Sequence, residues 1–128
     1  MIRAGDYNGK MPTTKPILLV EDDPDIHDML CDEIKEAGHT ADCVKTLSDA
    51  LAKVQPRSHA LAICDLMLPD GSGRELARLA EAYGIRTLLI TGHPDMADEL
   101  ERADIPHLQK PFSLALLREV LQQLLISK

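Results

Sequence analysis

Asp65 is a carboxylate placed where an apolar run ends: Ala60-Leu61-Ala62-Ile63-Cys64 leads into it, and Leu66-Met67-Leu68-Pro69-Asp70-Gly71 follows. An apolar run without alternation is the mark of a strand buried on both faces of a parallel sheet. In such sheets ligands and chemistry collect at the carboxyl ends of the strands. Three other segments repeat the pattern of apolar run and then polar group. Ile17-Leu18-Leu19-Val20 ends in Glu21-Asp22-Asp23, Thr87-Leu88-Leu89-Ile90 in Thr91-Gly92, and His107-Leu108-Gln109 in Lys110-Pro111. One sheet would bring all four ends to a single rim carrying carboxylates, a hydroxyl and a lysine.

Each group has a plain alternative. Consecutive acids at a strand-to-helix turn are favoured as helix caps, and Asp23, followed by Pro24, does that. Glu21 and Asp22 exceed what capping needs, and beside Asp65 they would repel one another. A hard divalent cation relieves that repulsion, and Mg²⁺ prefers a few carboxylates together with water and phosphate oxygens. Lys110 is either an ordinary surface lysine or a point charge reaching a phosphoryl oxygen. Thr91 is either a strand-end hydroxyl or a donor to the same group, with Gly92 leaving room for its approach.

The elements that position these groups alternate strand and helix. Ile26, Met29, Leu30, Ile34 and Ala37 line one face of a first helix that Gly38 stops. Thr40 to Val44 is a short strand. Thr46 with Asp49 opens a second helix, with Pro56 just past its end. Pro69-Asp70-Gly71 makes a turn, and Ser72 with Glu75 opens a third helix closed by Gly84. Pro94 starts a fourth helix, and Ser113 caps a leucine-rich fifth. The predicted fold is α/β: a doubly wound five-stranded parallel sheet with five helices, flavodoxin-like in topology. Residues 1–15 lack periodicity and read as a disordered leader or a cloning remnant, so the predicted domain is 16–128.

Composition sets outer bounds. The 128 residues suit one domain, and a formal charge of −7, from 14 basic and 21 acidic residues, argues against nucleic acid or anionic membrane as a partner. The three aromatics, Tyr7, Tyr83 and Phe112, offer no stacking platform for single strands. Cys31, Cys43 and Cys64 are odd in number and lie in helix- or strand-like segments. They read as reduced, buried cysteines of a cytoplasmic protein rather than as a disulfide or metal set.

The ordered set Glu21-Asp22, Asp65 with Leu68-Pro69-Asp70-Gly71, Thr91-Gly92 and Lys110-Pro111-Phe112 resembles the receiver domain of bacterial two-component response regulators, over residues 16–126. The resemblance implies Asp65 as the phosphoacceptor and Mg²⁺ held by Asp22, Asp65 and the Met67 carbonyl, with Glu21 acting mostly through water. It implies Thr91 and Lys110 as ligands of the phosphoryl oxygens. A histidine kinase or histidine phosphotransfer protein would be the donor, and a downstream protein or a second copy the reader. Thr91 would switch together with the residue three before the lysine, usually Tyr or Phe in the family and here His107. An imidazole titrates near neutral pH and makes a different hydrogen bond, so a strand-edge histidine without a switching role is an equal reading of that position.

Two rival functions share parts of this set. A phosphatase of the haloacid dehalogenase type also uses a strand-end Asp, a hydroxyl, a lysine and Mg²⁺, but needs an Asp-x-Asp signature. Asp23-Pro24-Asp25 begins one residue too late for it, and no acidic pair follows Lys110. A non-phosphorylated interaction module on the same fold would not need the complete acceptor set. With the fifth helix ending near Lys128, the chain reads as a stand-alone receiver or one excised from a longer protein.

Overall fold

A computed structural model describes residues 15–126, so the expected leader lies almost wholly outside the described residues. The predicted apolar runs become the strands of one parallel sheet: β1 (Ile17–Val20), β2 (Ala41–Val44), β3 (Leu61–Asp65), β6 (Thr87–Thr91) and β7 (His107–Gln109). The strand order is β2-β1-β3-β6-β7. A two-stranded antiparallel ribbon of β4 (Met67–Leu68) and β5 (Gly71–Ser72) forms at the predicted Pro69-Asp70-Gly71 turn. Four helices connect the strands, α1 (Pro24–Glu36), α2 (Leu47–Lys53), α3 (Gly73–Ala82) and α4 (Pro94–Arg102), and α5 (Leu114–Ile126) follows the last strand.

Alternate residues of each strand feed opposite cores, which is what winds helices onto both faces. Ile17, Leu19, Leu61, Ile63, Leu88 and Ile90 pack with Leu30 and Ile34 of α1 and Leu117 and Leu121 of α5. Leu18, Val20, Ala62, Cys64 and Leu89 pack with Leu47 of α2, Leu76 of α3 and Leu100 of α4. The caps fall where the residue types place them. The Asp23 side chain accepts from the Asp25 and Ile26 N–H groups, Thr46 from Asp49, and Ser72 from Arg74. None of the helices is long and apolar enough to cross a membrane, among the described residues.

Two expectations are corrected. Met29, expected on the buried face of α1, is 48% exposed. The next turn of that helix instead buries Glu33, whose carboxylate pairs with the Arg118 guanidinium of α5. Cys31 and Cys43, expected to be reduced, are joined by a disulfide between α1 and β2, their Cα atoms 6.4 Å apart. The cause is registry: β2 lies beside β1 with Cys43 level with Leu19, and α1 covers that face of the sheet. Cys64 is the free and buried cysteine, as expected.

Candidate functional site

Strand order reverses between β1 and β3, so their carboxyl ends flank the crevice where doubly wound sheets bind ligands. Glu21 and Asp22 follow β1 and Asp65 ends β3. One carboxylate oxygen from each of the three lies within 4.8 Å of the others. Glu21 is 1% exposed and Asp65 9%, while Asp22 is open to solvent. The buried position of Glu21 is fixed from both sides: its N–H donates to the Val44 carbonyl at 3.2 Å, and its Oε2 accepts from the Asp23 N–H at 3.1 Å. Asp65 Oδ1 accepts from the Met67 N–H at 3.2 Å.

Lys110 closes the cluster. Its Nζ lies 3.1 Å from Glu21 Oε1 and 3.0 Å from Asp65 Oδ2, so one ammonium bridges two buried carboxylates. It emerges from the end of β7, where its N–H donates to the Thr91 carbonyl at 2.8 Å. The Lys110–Pro111 bond is cis. Burial raises the Glu21 pKa above the ordinary carboxylate value and Asp65 adds to the rise, which the Asp23 N–H and Lys110 offset only in part. Burial alone would lower the Lys110 pKa, but hydrogen bonds to Asp65 and Glu21 outweigh it and the net shift is upward. Lys110 is therefore a firmly charged ammonium holding carboxylates that would rather not be charged together.

Thr91 ends β6, next to β3, with Asp65 level with Ile90. It is 1% exposed, and its Oγ1 accepts from the His93 N–H at 3.0 Å, which leaves the hydroxyl proton available for donation. A Cβ built on Gly92 meets nothing within 4 Å, so the approach to this strand end is open, as its sequence suggested. Met67, the first residue of β4, is 52% exposed beside Asp65. His107 stands apart from the rim: it is level with Leu89, two residues short of Thr91 along β6. Its Nδ1 lies 2.8 Å from the Ile105 carbonyl and its Nε2 3.6 Å from Glu101 at the end of α4. The structure thus gathers Glu21, Asp22, Asp65 and Lys110 into one cluster, sets Thr91 on the neighbouring strand end, and leaves His107 behind it.

Sequence reasoning passed over two supports of this rim. Asp70, expected in the turn and in the matching motif but in no supporting role, has two carboxylate oxygens that accept from the Leu47 and Ser48 N–H groups at 3.0 and 2.9 Å and so anchor the start of α2. Those bonds hold its pKa below the ordinary carboxylate value. Gly73 opens α3 directly against β3. Its N–H donates to the Leu66 carbonyl at 2.8 Å, and a Cβ there would stand 2.5 Å from the Asp65 carbonyl oxygen. The signal for it was the second glycine of Gly71-Ser72-Gly73, one more than the turn requires.

A family model described as the response regulator receiver domain matches residues 17–122. The response regulator receiver protein CpdR of Brucella abortus is 30% identical over 118 residues, covering 88% of this chain and 98% of that protein. Other curated relatives are longer, and the chain spans less than half of their length. Among solved structures, the non-phosphorylated HemR receiver domain of Leptospira biflexa superposes with a TM-score of 0.78 at 25% identity, covering 89% of this chain and 96% of that one. The response regulator TrrA of Thermotoga maritima, solved in complex with Mg²⁺-BeF, gives 0.75 at 27% identity, covering 86% and 98%.

Proposed function

The chain belongs to the response regulator receiver domain family, a family of two-component signalling domains, and we propose that Asp65 is its phosphoacceptor. The observation that carries the reading is the Lys110 ammonium, 3.0 Å from Asp65 Oδ2 at the mouth of a three-carboxylate cluster. An Asp65 oxygen attacks phosphorus and the new O–P bond forms. The bond from phosphorus to the donor's imidazole nitrogen breaks, and its electron pair stays on the ring. Such a transfer needs positioning and charge neutralisation more than proton transfer. Lys110 meets charge on the phosphoryl oxygens, and Thr91, whose oxygen already accepts from His93, donates its hydroxyl proton to another.

The donor set fits a hard dication: three carboxylates within 4.8 Å, one of them buried with a raised pKa. Asp22, Asp65 and the Met67 carbonyl would hold Mg²⁺, with Glu21 acting through water. When bound, the ion supplies positive charge against the carboxylates and the incoming phosphoryl group. The protein partners are a histidine kinase or histidine phosphotransfer protein as donor, and a downstream protein or a second copy as reader, in the cytoplasm. The receiver domain is 16–128. Thr91 and His107 form the switch. Capture of phosphate draws Thr91 inward, and the imidazole follows by giving up its bond to the Ile105 carbonyl.

Incubation with a small phosphodonor and Mg²⁺, read by intact mass, tests the assignment. One phosphoryl group should add and turnover should stop there, whereas a phosphatase would go on consuming donor. Asp65→Asn or removal of Mg²⁺ should abolish the label, and unchanged labelling of Asp65→Asn refutes the reading.

A further inference from the structure

The disulfide between Cys31 and Cys43 takes no part in the acceptor chemistry. Both residues are partly exposed, so a small thiol or disulfide can reach them. Cys64 is the opposite case. It is fully buried, and its thiol is pushed up to about 12, first by burial and then by Asp65, Glu21 and Asp70. The chain therefore carries one reactive pair and one inert thiol.

The pair joins α1, which follows the acidic loop, to β2, which pairs with the strand that precedes it. α1 begins directly after Glu21-Asp22-Asp23, and β2 holds Glu21 through the Val44 carbonyl. β2 is an edge strand of four residues that pairs with β1 alone. A tie from α1 is thus a second anchor for it. In the cytoplasmic setting proposed above, thiols are kept reduced, and the disulfides that do form there are usually transient and redox-sensing.

We propose that Cys31 and Cys43 are a reversible dithiol–disulfide couple whose closure stiffens the α1–β2 layer beneath the acidic loop. The oxidant is a low-molecular-weight disulfide such as oxidised glutathione. One cysteine sulfur attacks a sulfur of that disulfide, whose other half leaves as a thiol. The second cysteine then displaces the remaining half from the mixed disulfide. Two electrons and two protons pass from the protein's thiols to the external disulfide, which departs as two thiols. The link spans a sequence separation of 12. Closing a ring of that size makes openings that part α1 from β2 roughly a hundredfold rarer.

The test poises the full chain in glutathione buffers from reducing to oxidising and traps thiols with iodoacetamide. Peptide mass and amide hydrogen exchange are then read on the same samples. Cys31 and Cys43 should lose alkylation together across the series. Exchange in α1 and β2 should be about a hundredfold slower in the oxidised form, and Cys31→Ser should exchange alike in every buffer. The proposal is overturned if the pair stays wholly open or wholly closed throughout. It is equally overturned if the pair cycles while exchange in α1 and β2 does not change. Neither readout uses Mg²⁺ or a phosphodonor, so failure here is distinct from failure of the Asp65 assignment.

Discussion

Gly73→Ala sets two effects of opposite sign against each other beside Asp65. Alanine is the better helix former by about 1 kcal/mol in a helix interior, and less at a first position such as this one. Against that, the new Cβ would stand 2.5 Å from the Asp65 carbonyl oxygen and 3.1 Å from Cys64 Sγ, where ordinary contact begins at 3.4 Å. The nearer atom is backbone in the central strand of the sheet, so no side-chain rotation relieves the overlap and α3 must retreat. Overpacking of this kind costs about 1–3 kcal/mol, which outweighs the propensity gain. The expected result is a melting temperature lower by roughly 4–8 °C, for a domain of this size. Gly92→Ala is the control: nothing lies within 4 Å of its Cβ, so stability should stay within about 0.5 kcal/mol of wild type. Thermal and urea unfolding in chelator measure both variants, and phosphodonor labelling measures whether the strain reaches Asp65. Misplacement by a fraction of an ångström should slow labelling by on the order of tenfold. A Gly73→Ala protein that melts at or above wild type would refute the argument that α3 is seated rigidly on β3.

Glu21→Gln should raise stability in chelator at pH 7. Burial and Asp65 raise the wild-type pKa above 4.5, so the folded state holds its proton longer and wild type loses stability as pH climbs through that window. Urea midpoints should show the advantage at pH 7 vanish below about pH 4.5, and an advantage that grows toward acid would contradict it. Mg²⁺ should stabilise wild type by about 1.4 kcal/mol at ten times its dissociation constant. Asp22→Ala should melt above wild type in chelator and ignore the metal in the same thermal scans, because it relieves carboxylate crowding and removes a ligand. Asp70→Ala should melt lower at neutral pH, since α2 loses acceptors for two N–H groups. Asp70 has a depressed pKa, so its contribution is present above pH 3.8 and fades in stronger acid, and a deficit in the variant that persisted below that range would count against it.

The strands were legible because a strand covered on both faces needs apolar residues at nearly every position, and Ile17–Val20 and Leu61–Cys64 are buried throughout. Helix starts were legible because a cap acts within three residues of itself, as Asp23, Thr46 and Ser72 do. What stayed hidden depends on partners far along the chain. Glu33 looks like a solvent-facing acid until α5 brings Arg118 across to it, 85 residues away. Asp70 looks like a turn residue until topology sets it at the start of α2. The cysteine pairing follows from the β1–β2 register, which spacing does not encode. The proximity of Asp22, Asp65 and Lys110 is legible for the opposite reason: each lies at or within two residues of the carboxyl end of a strand of a single parallel sheet, and such ends share a rim whatever the register.

That rim also explains why one lysine is not enough. Glu21, Asp22 and Asp65 bring three formal negative charges against the single ammonium of Lys110, leaving two uncompensated. A dication would make the set formally neutral, which is the charge argument for Mg²⁺ over a monovalent ion. That neutrality would end if a phosphoryl group arrived, because it adds negative charge to a set that Lys110 and the dication only just balance. Lys110 is the group able to respond. Its two bonds, at 3.1 and 3.0 Å, go to the carboxylates that the metal would by then be neutralising. Its stem is anchored by the Lys110 N–H to the Thr91 carbonyl, on the residue whose hydroxyl would meet the same phosphoryl group. In the proposed switch, release of Lys110 from Glu21 and inward movement of Thr91 would therefore be coupled through that bond at the shared end of β6 and β7, and the strands on which it lies lead back to Leu89 and His107.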